Sequence, residues 1–171
     1  MVSGRRRFTL LPPDQVGNLY IGPLDLTPAG QPISLVDAAA PDFERFPRYR
    51  EALKHAQIAE LEPGDAIFIP SQWWHGVEGL GGINTLVNFW WRRTPAYMDS
   101  PVSALMMCLL TIRDLPPAQR EAWRVLIDHY VFEANDDTAA HIPEHARGVL
   151  GALTEDKARF LRSVLLNRLK R

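Results

Sequence analysis

The residues best suited to chemistry in this chain lie in one stretch, Leu61-Glu62-Pro63-Gly64-Asp65-Ala66-Ile67-Phe68-Ile69-Pro70-Ser71-Gln72-Trp73-Trp74-His75. The Pro-Gly-Asp turn reverses the chain into an apolar strand, and Ile69-Pro70 leads to a second strand that delivers His75. Side chains alternate along a strand, so Trp73, His75 and Val77 share a face. A histidine held between bulky neighbours on a rigid sheet suits metal ligation, because the frame fixes the imidazole direction. On spacing alone a core or surface histidine with a satisfied hydrogen bond is the plainer reading. In Ile83 to Trp91, alternation places Asn84, Leu86, Asn88 and Trp90 on one face and Ile83, Thr85, Val87, Phe89 and Trp91 on the other. Asn88 is an amide inside a strongly apolar strand and needs partners, from a ligand or from a neighbouring side chain. His141-Ile142-Pro143-Glu144-His145 has the spacing of a zinc-hydrolase helix. Pro143 breaks such a helix anywhere beyond its first turn.

The elements that must hold these residues change character near residue 95. Up to there, strand-like segments (Arg6 to Leu11, Ile33 to Val36, Ala66 to Pro70, Trp73 to Val77 and Ile83 to Trp91) alternate with Gly/Pro turns. A short helix is expected around Arg48 to Ala56. Short strands between such turns favour a sandwich or jelly roll over an alternating parallel α/β fold. Beyond Pro95 the pattern is helical. Ser100-Pro101 supplies an N-cap and first helical residue, Pro116-Pro117 a break, and Thr154-Glu155-Asp156 a further helix start. Trp123, Leu126, Ile127, Tyr130 and Val131 form one apolar stripe, and Phe160, Leu161, Val164, Leu165 and Leu169 another. Burial against the sheet or each other and a helical dimer interface both fit these stripes.

Composition narrows the classes. The 171 residues are 46% hydrophobic and 23% charged, with 19 Lys+Arg against 20 Asp+Glu and a formal net charge of -1. That balance argues against a globally basic nucleic-acid binder. The single cysteine, Cys108, rules out an intramolecular disulfide and fits a reducing cytoplasm. Cys108 itself reads as a buried small hydrophobe. No apolar run reaches the length of a membrane span, and the polar start lacks a signal-peptide core.

Four blocks together carry a resemblance. Gly4-Arg5-Arg6-Arg7-Phe8-Thr9-Leu10-Leu11-Pro12-Pro13, Asp42-Phe43-Glu44-Arg45-Phe46-Pro47, Pro63-Gly64-Asp65 with Ile69-Pro70 and Trp73-Trp74-His75, and Asn88-Phe89-Trp90-Trp91 resemble the JmjC, or cupin-like, Fe(II)/2-oxoglutarate oxygenases. The branch most similar is that of the asparaginyl hydroxylase that inhibits hypoxia-inducible factor. The blocks stand in family order over residues 4 to 91. Asp128-His129-Tyr130-Val131-Phe132 and His141 to Gly148 are similar to the helical tail of bacterial members.

The resemblance implies a mainly β fold with α: the C-terminal half of a double-stranded β-helix (jelly roll) over residues 1–95, then a helical region over 96–171 suited to dimerisation. It implies His75 as an iron ligand, Arg6 where the family carries a lysine for the distal carboxylate of 2-oxoglutarate, and Asn88 near that cosubstrate. A guanidinium can grip a carboxylate with two bonds, so the exchange at Arg6 is chemically tolerable. Fe(II), 2-oxoglutarate and a protein or peptide substrate are implied in the same way.

Non-haem iron of this kind needs two histidines and a carboxylate. No histidine here begins a His-x-Asp/Glu pair: the residues two beyond His55, His75, His129, His141 and His145 are Gln57, Val77, Val131, Pro143 and Arg147. Glu78 falls on the opposite strand face from His75. The expectation is therefore an N-terminally truncated, self-associating chain, inactive alone, with a non-catalytic cupin-like binding or oligomerisation module as the alternative.

Overall fold

The computed structural model describes residues 1–27 and 30–170. Contacts divide the chain into two units, Met1–Trp90 and Trp91–Arg171. The first is built on a three-stranded antiparallel sheet of β1 (Arg6–Leu11), β2 (Gln57–Leu61) and β3 (Trp74–Gly79), with β1 in the centre. Arg6 pairs with Leu61 and Gly79, Phe8 with Ala59 and Val77, and Leu10 with Gln57 and His75. Paired residues point to the same side of a sheet. Arg6, Phe8, Leu10, His75 and Val77 therefore share one face, and Arg7, Leu11, Trp74 and Glu78 the other.

Each face packs its own cluster. Phe8, Leu10 and Leu61 are buried beneath Met1, Ile67, Ile69, Trp73 and Leu86. On the opposite face Leu11 joins Leu19, Val36, Phe46, Tyr49 and Ala52, with Trp74 against them. The helix α1 (Tyr49–Lys54) contributes Tyr49 and Ala52 to that cluster, three residues apart and thus on one helix side. The rest of this second face is charged. Arg7 bridges Glu60 of β2 at 2.7 Å and Glu78 of β3 at 3.3 Å, and Arg5 meets Glu60 and Glu62. The Arg7 hydrogen bond holds the Glu60 carboxyl below the usual carboxylate range.

Turn chemistry follows the sequence closely. Gly64 sits at φ +98° in the Pro63-Gly64-Asp65 turn, where the Asp65 carboxylate accepts from the Glu62 amide. Gln72 adopts φ +66°, a left-handed conformation unusual for a residue with a side chain, in the turn that ends at Trp73.

The regular sheet is narrower than the pattern of strand-like segments. Ile33–Val36 contributes only the Ile21–Ser34 bridge, and Ile83–Trp91 only the Ser3–Thr85 bridge. Ala66–Pro70 runs without a ladder. Extended backbone becomes a strand only against a paired neighbour, and these segments have little alongside them among the described residues. Conversely β2 was not expected; its short Gln-Ile-Ala-Glu-Leu run is a strand because β1 lies beside it.

The second unit is helical: α2 (Pro101–Thr111), α3 (Pro117–Ile127) continuing into a π-helical turn at Asp128–Phe132, and α4 (Glu155–Leu169). The Ser100 hydroxyl caps α2 at the Val102 amide and the Thr154 hydroxyl caps α4 at the Lys157 amide. Arg162 of α4 bonds the Tyr97 carbonyl and the Asp99 carboxylate. The Asp99 carboxyl is held below its usual range, first by the Ser100 amide and then by Arg162. The apolar stripes are not buried. α2 contains no charged residue, has no buried side chain, and exposes Val102, Leu105, Met106 and Leu110. Cys108 is half-buried and free rather than fully enclosed. No helix among the described residues is long and apolar enough to cross a membrane.

Candidate functional site

The inner sheet face carries the two groups with most chemical capacity. His75 enters β3 one residue after its start and lies exposed. Its Nδ1 stands 3.3 Å from the Trp73 carbonyl oxygen. A carbonyl only accepts, so in this hydrogen bond Nδ1 is the donor and Nε2 is the ring nitrogen left for another partner.

Arg6 lies four residues along the same face, about 13 Å by strand rise. Its Nη2 donates to the Asn84 carbonyl at 3.3 Å, while its Nε is buried and has no hydrogen-bond partner. A buried, unpaired guanidinium nitrogen beside an apolar cluster calls for an acceptor, and an anionic oxygen is the best one.

Asn84 is the residue that sequence reasoning passed over. Its Nδ2 donates to the carbonyls of Gly81 (2.6 Å) and Gly82 (3.1 Å), clamping the turn after β3. Its backbone carbonyl holds Arg6, and its Oδ1 is buried without a partner. Gly4, at φ +74°, makes this approach feasible. A Cβ there would lie 2.5 Å from Asn84 Oδ1 and 2.7 Å from the Ile83 carbonyl oxygen. Gly4→Ala should thus incur both the left-handed backbone penalty and a backbone clash, about 2–4 kcal/mol together. Denaturant midpoints compared with wild type measure it, and an unchanged midpoint would refute the close approach.

Asn88 sits exposed, two residues beyond Leu86, rather than enclosed in an apolar strand. Glu78 points to the opposite face and is engaged by Arg7. The His141–His145 segment forms no continuous helix. Glu144–Ala146 is a short 3-10 turn that begins just after Pro143. Among the described residues, no group of three or more His, Cys, Asp or Glu side chains is placed to hold a metal ion.

Residues 1–97 match the family model described as a cupin-like domain. The chain belongs to the cupin-like, JmjC-type family. Curated relatives include human HSPB1-associated protein 1, 30% identical over 125 residues, which covers 71% of this chain and 25% of that protein. Lysine-specific demethylase JMJ31 of Arabidopsis thaliana is 35% identical over 105 residues, 58% of this chain and 19% of its own length. The tRNA wybutosine-synthesizing protein 5 of Gallus gallus is 34% identical over 97 residues, 56% of this chain and 27% of its own. The chain thus spans about a quarter of the length of these relatives.

Two small partners go with an oxygenase of this family, and the residues treat them differently. Arg6, with its unsatisfied buried Nε, fits the carboxylate of 2-oxoglutarate. Iron does not fit the described residues. His75 offers one well-oriented nitrogen, and the facial triad needs two further ligands.

Proposed function

We propose that this cupin-like chain carries the cosubstrate-binding part of an Fe(II)/2-oxoglutarate-dependent hydroxylase that acts on a protein or peptide side chain. The observation that carries the reading is Arg6, whose buried unpaired Nε shares a sheet face with His75. In this reading Arg6 receives a carboxylate of 2-oxoglutarate and Asn88 lies alongside the cosubstrate. His75 supplies one iron ligand through Nε2. The other two ligands come from outside the described residues, so the chain alone does not turn over substrate. The small net charge favours a protein over a nucleic acid as substrate, and the lone Cys108 suits a reducing, cytoplasmic setting.

The test is anaerobic titration of the purified chain with Fe(II) and with 2-oxoglutarate. Weak 2-oxoglutarate binding that disappears in Arg6→Gln, without stoichiometric iron, is the expected result. Near-stoichiometric iron coupled to cosubstrate binding would overturn the incomplete site. Undiminished 2-oxoglutarate binding by Arg6→Gln would overturn the role of Arg6.

The helical unit supports a second role, self-association. Large apolar side chains stand exposed on α2, α3, the π-helical turn that follows it, and α4, among them Trp123 (47%), Phe132 (78%) and Phe160 (58%). With Val102, Leu105, Leu110, Val131, Leu165, Leu166 and Leu169 they present on the order of 1,000 Å² of apolar surface, comparable to the roughly 800 Å² per partner of a stable interface. A second copy of this chain is the occupant we assign to residues 96–171. Should the chain bind neither cosubstrate nor metal yet still associate, it is a non-catalytic oligomerisation module of cupin-like fold.

A further inference from the structure

We propose that Asn84 is a positioning residue that sets which nitrogen of Arg6 faces a bound carboxylate. The inference rests on the reading of Arg6 as the carboxylate anchor and adds the device that aims it. An arginine fork can receive a carboxylate through more than one pair of nitrogens, so a free Arg6 would sample several poses. Here one N–H of Nη2 donates to the Asn84 carbonyl at 3.3 Å, which ties the guanidinium to that carbonyl. That leaves Nε as the buried donor without a partner.

The Asn84 carbonyl can do this because its own residue is held from three sides. The amide Nδ2 grips Gly81 and Gly82, whose carbonyl oxygens accept only, which settles the orientation of the amide. The neighbouring Thr85 is bridged to Ser3, its amide donating to the Ser3 carbonyl at 3.0 Å. Gly4 and Gly79 leave room for the side chain, since a Cβ at Gly79 would come 3.3 Å from Nδ2. The orphaned Oδ1 is an acceptor and cannot itself hold a carboxylate. The anion is therefore left to Arg6.

The Arg6 Nε–Hε proton reports on this arrangement directly by ¹⁵N–¹H NMR of the full chain. In wild type it should exchange with solvent more slowly than those of exposed arginines such as Arg92 and Arg93, and it should shift when 2-oxoglutarate is added. In Asn84→Ala, and in the milder Asn84→Ser, the backbone carbonyl loses its anchoring, so exchange should quicken and 2-oxoglutarate should bind about tenfold more weakly, the cost of immobilising a freed arginine side chain on binding. A purely structural Asn84 would lower the unfolding midpoint and leave both the folded-state exchange and the affinity as in wild type. That result overturns the proposal, as does a wild-type Hε that exchanges as fast as an exposed one. If the wild-type signal is protected and is released by Asn84→Ser, yet ignores 2-oxoglutarate, the positioning of Arg6 stands and its role as carboxylate anchor fails.

Discussion

Tyr49→Ala should remove about 3–5 kcal/mol from the first unit, a large share of what a domain of this size has to lose. Tyr49 is 2% exposed and lies with Leu19 and Ala52 at the centre of the cluster behind the sheet. No neighbour is free to collapse into the space its ring would leave, because Leu11 and Val36 are fixed by strand and turn backbone. Tyr49→Phe keeps the ring and should fall within about 1.5 kcal/mol of wild type at neutral pH. The two proteins should part at high pH. Burial, with the charge of Asp37 adding to it, holds the Tyr49 phenol above its ordinary value. The fold therefore favours the neutral phenol. That contribution is complete below about pH 10, the ordinary tyrosine value, and is lost as pH rises from there through the raised folded value. Tyr49→Phe lacks this titration, so its stability should fall less between neutral and strongly alkaline pH. Hydrogen exchange of the β1 amides during denaturant unfolding follows this unit specifically. An alkaline loss identical in the two proteins would remove Tyr49 from the explanation.

What could be read from the sequence was what local chemistry determines. β1 emerged over the expected residues because its alternation and the Pro12-Pro13 stop are local. The caps Ser100 and Thr154 likewise act on amides two or three residues away. β2 was illegible because Gln57–Leu61 has no β-branched run and directly follows a helix; only its pairing with β1 makes it a strand. Ile83–Trp91 errs the other way, with good strand alternation but one bridge, at Thr85. Periodicity reports that a segment could pair, not that a partner lies beside it.

The same division runs through the site. His75 and Arg6 could be named from motifs, and the sheet register then puts them on one face. Asn84 could not, since its importance comes from a close approach to Gly4, eighty residues away, and from the bond its carbonyl makes to Arg6. In the sequence it was one of two asparagines of equal parity, and the motif drew attention to Asn88 instead.

The helical unit offers the second large effect: Met106→Glu with Leu110→Glu, four residues apart and so on one side of α2, should abolish the self-association proposed for this unit. α2 holds eleven residues without a charge, and none of its side chains is buried. Much of its apolar surface, on Val102, Leu105, Met106 and Leu110, therefore stays exposed, and leaving it in water forfeits roughly 25 cal/mol per Å². In the self-association proposed above, a second copy recovers that energy. An unpaired carboxylate buried in an apolar interface costs several kcal/mol, so the pair should raise the dissociation constant at least about a hundredfold. Folding should be untouched, because both positions are exposed, at 37% and 70%. Sedimentation equilibrium over a wide concentration range, with circular dichroism to check helix content, reads both consequences. A wild-type chain that stays monomeric at high concentration would dismiss the second copy as occupant of this face. A double variant that dissociates while keeping its helices would tie the assembly to α2.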